Sequence, residues 1–382
     1  MIKEGILTHK RLKDFFIIKD GEKLNYGYTT GSCATAAAKS ACEILLSGQD
    51  VSTVSLKTPF GIELLLDVLD IKKTNHSVTC AIQKDAGDDP DVTHGILVFA
   101  TVEKTNTSSI VIDGGVGVGR VTRLGLEQKI GEAAINKTPR AMIRNGISEI
   151  CQKYGYDGGV LVTISIPDGV ELAKKTFNPR LGIQGGISVL GTSGIVVPMS
   201  EEALVKSIEV EMKMRLAEQD YLLVTPGNYG EAYLKDHTQL PVEKHLKCSN
   251  FVGKTIEMAV NHGAKGILFV ANIGKFVKVA GGVMDTHSKS ADCRAEIMSA
   301  CAIRAGGSLE LAHALLDMTT TEEGLASLQA HNLLESTMAV MMERIHFYLK
   351  NHCDLLIGAI VFSNQFGFLG QTQDVEALIN QM

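Results

Sequence analysis

The sequence predicts an α/β protein in two parts: an α+β N-terminal half with mixed or antiparallel strands, and a Rossmann-like C-terminal half. Three observations lead there. Four strand-like segments follow one another between residues 51 and 103. After about residue 219 apolar strands alternate with helical stretches, the pattern of a parallel sheet. The chain has 382 residues, 45% hydrophobic and 21% charged, an ordinary globular balance at a length suited to two or three domains. The expected boundary lies near 219, dividing the chain into 1–219 and 220–382, with no evident linker.

The first element is a helix over 31–47. Ala34, Ala37, Ala38, Ala41 and Leu45 recur at helical spacing. The strand-like segments "VSTVSLKT", "IELLLDVL", "HSVTCAIQ" and "GILVFATVE" follow, the last two separated by the acidic loop "KDAGDDPDVTHG". "SIVIDGGVGVGRVTRLGL" reads as a short strand running into a glycine-rich loop. Thr138-Pro139 signals a helix start, with Pro at the first helical position and Thr as its cap. Ile143, Ile147 and Ile150 then share a face. The strand "GGVLVTISI" and a second glycine-rich passage, "NPRLGIQGGISVLGTSGIVVPMS", lead to a helix opened by Ser200, Glu201 and Glu202.

In the second half "YLLVTPGNYG" is a strand ending in a glycine-containing turn. "SNFVGKTIEMAVNHG" is a helix stopped at Gly263, and "AKGILFVANIG" is a strand. Helices continue to about residue 352, and "CDLLIGAIVFS" is the last strand.

Composition excludes several function classes. Net charge is −6, there is no Trp, and aromatics are 5%, which argues against a nucleic-acid partner. Apolar runs are strand-length, so no membrane span is expected. The eight scattered Cys residues contain no Cys-x-x-Cys pair, so no metal site is expected and the thiols read as reduced, in a cytoplasmic protein.

The stretch "GYTTGSCATAAAKS" places Thr29, Thr30, Gly31 and Ser32 at a helix N-terminus, where N–H groups lack partners. Capping explains one hydroxyl. Three around a glycine point to an anion or substrate site, with Gly31 allowing close approach. Cys33 reads as a buried thiol. The acidic loop carries Lys84, Asp85, Asp88, Asp89, Asp91 and His94. Clustered carboxylates can do acid–base work, but Gly, Asp and Pro also make ordinary solvated turns. Gly115, Gly117 and Gly119 do not match G-x-G-x-x-G, because position 120 is Arg; a flexible loop bearing Arg120 and Arg123 suits carboxylates. Arg180 stands among Gly182, Gly185, Gly186, Gly191 and Gly194, a density that lets backbone approach a flat ligand or another backbone. Gly227, Asn228, Tyr229 and Gly230 follow the first strand of the second half, where open α/β sheets bind nucleotides. "GKFVKVAGGVMDTHSKSADCR" holds Lys275, Lys278, Asp285, Thr286, His287, Ser288, Asp292 and Arg294, a stretch suited to a substrate-binding loop, with His287 between hydroxyls after a glycine pair as in a polar pocket.

Taken in order from about residue 26 to 295, the blocks "GYTTGSCATAAAKSA", "IQKDAGDDPDVTHG", "GGVGVGRVTRLGL", "NPRLGIQGGISVLGTSGIV", "TPGNYG", "SNFVG" and "GKFVKVAGGVMDTHS" closely resemble the CbiD family, the cobalt-precorrin-5B (C1)-methyltransferases of anaerobic cobalamin biosynthesis. The helical tail is similar only loosely. Members often carry Gly-His where this chain has Ala271-Asn272, so no catalytic role is assigned there.

The resemblance implies transfer of a methyl group from S-adenosylmethionine to a ring carbon of a cobalt-containing corrinoid, on a fold unlike the other corrin-ring methyltransferases. Cobalt enters only with the substrate. The implied substrate carries many carboxylates, for which Thr29, Thr30, Gly31, Ser32, Arg120, Arg123, Arg180, Thr286 and His287 are the expected binding residues. Gly227, Asn228, Tyr229 and Gly230 are expected to line the cofactor site. Asp85, Asp88 and His287 are candidates for taking a proton, and His94 and His287 for touching the substrate cobalt. The expected partner is a small corrinoid, with further copies of the chain in a homo-oligomer. The alternatives are a non-catalytic carrier or chaperone for an anionic tetrapyrrole, and a nucleotide-dependent oxidoreductase, disfavoured by the missing glycine fingerprint.

Overall fold

The computed structural model describes residues 12–19, 21–179 and 181–382. Two compact units divide between Ser200 and Glu201. The division lies before the expected 219, because the helix Glu201–Leu216 packs on the helix Val252–Asn261 and the strand Leu246–Lys247, elements of the second unit.

The first unit is a sheet covered on one face by helices. Strand order is Leu69–Lys73, Ser77–Gln83, Leu97–Thr105, Gly159–Ser165, Ile110–Gly114, antiparallel except for the last pair. One face is buried through Val78, Cys80, Ile82, Val98, Ala100, Val102, Val160, Val162 and Ile164, the period of two that a half-covered sheet requires. Against it lie the helices Thr30–Ser47 and Lys137–Lys153. Ala34, Ala37, Ala38 and Ala41 are fully buried, and their small side chains allow close helix packing. The second helix begins earlier than expected. Its N-cap is Asn136, without a side-chain capping bond, and Thr138 and Pro139 lie inside the first turn.

The two glycine-rich passages pair with each other. Gly117–Val118 runs parallel to Gly186–Ile187, and Arg120–Val121 antiparallel to Ile183–Gln184. Their glycines meet backbone. A Cβ on Gly117 (φ +74°) would lie 1.7 Å from the Ile166 carbonyl oxygen, and one on Gly186 would lie 2.1 Å from that of Gly117.

The second unit is a three-layer sandwich. Its sheet runs Leu246–Lys247, Tyr221–Thr225, Gly266–Asn272, Leu356–Ser363, Gly367–Gln371. The first four strands are parallel and the fifth, absent from the expected strands, is an antiparallel edge. Numbered by sequence, the order is 2-1-3-4-5. Residues 266–271 are all buried, as expected of a strand covered on both faces. Phe269, Ala271 and Ile267 pack with the Ile273–Val279 helix, whereas Leu268 and Val270 pack with Tyr233 and Leu234 of the Tyr229–His237 helix. The helices after the first and third strands therefore leave to opposite faces, the arrangement in which open α/β sheets bind ligands at the carboxyl ends of those strands. Among the described residues, no helix is long and apolar enough to cross a membrane.

Candidate active site

The crevice of the second unit is built from the loops that follow the parallel strands. The first strand ends at Thr225, fully buried, whose hydroxyl has no hydrogen-bond partner among the described residues. Gly227 (φ +94°) turns the chain, and Asn228 precedes the Tyr229–His237 helix without capping it. Tyr229 is 63% exposed. Gly230 is buried because the helix crosses the sheet there: a Cβ would lie 2.7 Å from Thr225 Cβ and 2.8 Å from the Val270 carbonyl oxygen.

After the third strand, Asn272 Oδ1 accepts from Gly274 N at 2.9 Å and caps the next helix. Its amide donates to Asn364 Oδ1 at 3.4 Å. Asn272 thus has a structural task. Lys275, on the same helix, donates to the Ser249 carbonyl at 3.2 Å, and a Cβ on Gly227 would lie 3.3 Å from its ammonium. Burial pushes its pKa below the usual lysine value. Ser249 itself sits at φ +55°. At the end of the fourth strand, the Ser363 hydroxyl donates its one proton to the Glu322 carboxylate, whose oxygens lie 2.8 and 2.6 Å away. From sequence, Lys275 belongs to a stretch expected to bind substrate, not the cofactor; the signal for a cofactor role was a lysine soon after the third strand's end.

Lys278 is 2% exposed and donates to the carbonyls of Thr286 (3.2 Å) and Ala291 (2.7 Å). Thr286 is buried and its amide donates to the Asn250 carbonyl at 2.9 Å. His287 is exposed, and its Nδ1 accepts from Lys289 N at 3.1 Å. In neutral His287 the proton therefore sits on Nε2.

In the first unit the hydroxyls expected to be free for a ligand are committed to protein. Thr29 Oγ1 caps the helix by accepting from Ser32 N at 3.2 Å. Ser32 Oγ donates to the Gly194 carbonyl at 2.7 Å. Thr30 Oγ1 donates to the Leu190 carbonyl at 3.2 Å and accepts from Leu190 N at 3.1 Å. Thr29, Thr30 and Ser32 are 5%, 4% and 0% exposed. Gly31 permits the approach of Pro139 and the Leu190 carbonyl, to which its own N–H donates at 3.0 Å. The row of hydroxyls fastens the second glycine-rich passage to the helix end.

Arg120 is likewise engaged, donating to both Asp113 oxygens (2.6 and 3.0 Å) and to the Gly114 carbonyl (2.7 Å). The guanidinium and burial pull in opposite directions on Asp113, and the guanidinium prevails, holding the carboxyl below its usual range. Arg123 is exposed, lies against Gly182, and makes no hydrogen bond or ion pair among the described residues. Arg180 lies outside the described residues.

The acidic loop is pinned both from within and by Asn25 outside it. Asp85 Oδ1 accepts from Gly87 N (2.8 Å), and Asp88 Oδ2 from Asn25 N and Nδ2 (2.6 and 2.8 Å). His94 Nδ1 accepts from Ala86 N at 3.1 Å, so binding cobalt through Nε2 would require moving the ring proton and breaking that bond. Lys84, 2% exposed, pairs with Asp91. Burial opposes the Asp91 charge, but Lys84 and Thr93 outweigh it and hold the carboxyl below the usual range. Cys33 is fully buried, which pushes its thiol up to about 12 and leaves it protonated, unsuited to nucleophilic attack. Among the described residues no group of three or more His, Cys, Asp or Glu is arranged to hold a metal ion.

Comparisons with known proteins agree along the chain. The family model CbiD matches residues 17–198, and the model CbiD, C-terminal domain, matches 285–373. A relative from Ruminiclostridium cellulolyticum, named cobalt-precorrin-5B C(1)-methyltransferase, is 48% identical over 88% of this chain and 87% of its own length. One of the same name from Alkaliphilus metalliredigens is 44% identical over 95% of this chain and 96% of its own. A crystal structure described as a cobalamin biosynthesis protein (CbiD) from Archaeoglobus fulgidus is 27% identical, covering 73% of this chain and 87% of that one at a TM-score of 0.39. With both family matches in order and relatives of 44–48% identity spanning nearly all of the sequence, the chain belongs to the CbiD family.

Proposed function

We propose that this chain methylates C1 of cobalt-precorrin-5B in cobalamin biosynthesis, with S-adenosylmethionine as methyl donor. The observation that carries the reading is the shared name of relatives 37–48% identical over most of the chain. The donor supplies an electrophilic methyl on a sulfonium, and the acceptor is a ring carbon made nucleophilic by the macrocycle. Such a transfer needs positioning and exclusion of water more than a protein nucleophile, in keeping with a protonated, buried Cys33.

The second unit holds the donor. The crevice after its first and third strands suits a nucleoside, and its residues fit one: Gly227 turns without a side chain, Gly230 brings the helix onto the sheet, and Thr225 carries an unpartnered hydroxyl. The first unit binds the corrinoid. There Thr29, Thr30 and Ser32 act indirectly, by holding residues 190–194 in place. Arg123, free among the described residues, is the side chain available to a substrate carboxylate.

The test supplies purified protein with methyl-labelled S-adenosylmethionine and cobalt-precorrin-5B. Label is expected in a corrinoid carrying one added methyl group. Saturable binding of both compounds without label transfer would instead identify a carrier.

A further inference from the structure

We infer that Lys275 is the carboxylate anchor of the donor site: its ammonium holds the α-carboxylate of the amino-acid portion of S-adenosylmethionine. This deepens the donor reading above and rests on it.

Position is the first argument. The ammonium lies at the one place where the strand order reverses, against Gly227 after the first strand and 3.2 Å from the Ser249 carbonyl after the second. Ligands of open α/β sheets bind at such a switch point. A nucleoside seated there would bring its attached amino acid within reach of a group that three loops already surround.

Charge is the second. An ammonium has three donors, and Lys275 uses one, on a carbonyl. Lys278, three positions along the same helix, is buried and also meets only carbonyls. Neither forms an ion pair among the described residues, although many other lysines do, such as Lys39 with Glu149, Lys73 with Asp50 and Lys265 with Asp220. A partly desolvated ammonium with donors to spare and no counter-ion is unfavourable until an anion arrives. Loop backbone is the third: Ser249 is held in the left-handed region, a conformation that costs a non-glycine residue energy and persists where the surroundings impose it. There its carbonyl accepts from Lys275 and keeps the ammonium beside Gly227.

A corrinoid side chain would offer the same chemistry, so the test separates the two sources. The whole chain is titrated calorimetrically with S-adenosylhomocysteine and with methylthioadenosine, which keeps the nucleoside and thioether but lacks the amino acid. We expect Lys275→Met to weaken S-adenosylhomocysteine by about 10- to 100-fold, the range for a charged hydrogen bond, with methylthioadenosine unchanged. Lys275→Arg should retain most of the affinity, and Lys275→Met should melt no lower than the wild type. Equal weakening of both ligands, or of neither, overturns the assignment; weakened corrinoid binding with normal S-adenosylhomocysteine binding moves the anchor to the substrate and overturns it too. A wild-type protein that binds neither nucleoside overturns the donor-site reading, and this assignment with it.

Discussion

Two glycine-containing regions, one in each unit, look alike in sequence and differ in structure. In the first unit, residues 29–32 and 186–194 combine hydroxyls and glycines, and the hydroxyls of Thr29, Thr30 and Ser32 at the helix end each have a protein partner. In the second, residues 225–230 combine a hydroxyl, glycines and a nearby lysine, and the Thr225 hydroxyl has no partner among the described residues while Lys275 has one carbonyl. The contrast teaches that glycine density marks close approach without saying of what. Polar groups left unmatched after folding are what distinguish a ligand site from a tightly packed joint.

Alanine at one glycine of each region tests this most strongly. Gly186→Ala forces a Cβ into the backbone of Gly117, and should cost upwards of ~4 kcal/mol in urea unfolding. Gly227→Ala meets only the end of the flexible Lys275 side chain, so its cost should stay near the ~1–2 kcal/mol of the backbone conformation. Equal losses would erase the distinction.

Next comes the buried ion pair of the first unit. Asp91→Asn strands the Lys84 ammonium and should destabilise by ~3 kcal/mol, the low end for a broken buried pair because Asp91 keeps some exposure. The sign of its pH dependence follows from the lowered carboxyl. Its stabilisation is present above the ordinary Asp value of 3.8 and is lost as pH falls from there through the folded value. The wild type should therefore lose stability across that acid window more steeply than Asp91→Asn, as read from urea midpoints in a pH series.

The two smallest effects have opposite signs. Thr30→Val leaves the Leu190 N–H and carbonyl without their hydroxyl partner, and should cost ~1–2 kcal/mol. Thr225→Val removes a hydroxyl that has no partner, and should leave stability unchanged or raise it by up to ~1 kcal/mol while weakening S-adenosylhomocysteine. If Thr225→Val proved as destabilising as Thr30→Val, the second-unit hydroxyl would be part of the packing and the contrast would fail.

Much of the fold was legible because it rests on local periodicity. The alternation in "HSVTCAIQ" and "GILVFATVE" and the alanine stripe after Thr30 each name a buried face without reference to distant residues. The antiparallel edge Gly367–Gln371 escaped notice: with two glycines in five residues it lacks a strong strand pattern, and its pairing with Leu356–Ser363 sets its identity. The helix start at Asn136 was missed for a related reason. Thr138-Pro139 resembles a cap and first position, but Asn136 N bonds to the Val189 carbonyl, a tertiary contact that fixes where the turn begins.

By itself, then, the sequence determined the alternation of elements, the absence of an apolar span among them and the blocks that tie the chain to its family, because each depends on residue type and near-neighbour spacing. The tertiary structure alone decided which polar groups are satisfied. Thr30 meets Leu190 across 160 positions, Ser32 meets Gly194 across 162, and Lys275 meets Ser249 across 26. A side chain's availability to a ligand is what remains after such long-range partners are made, and that remainder is a property of the folded chain.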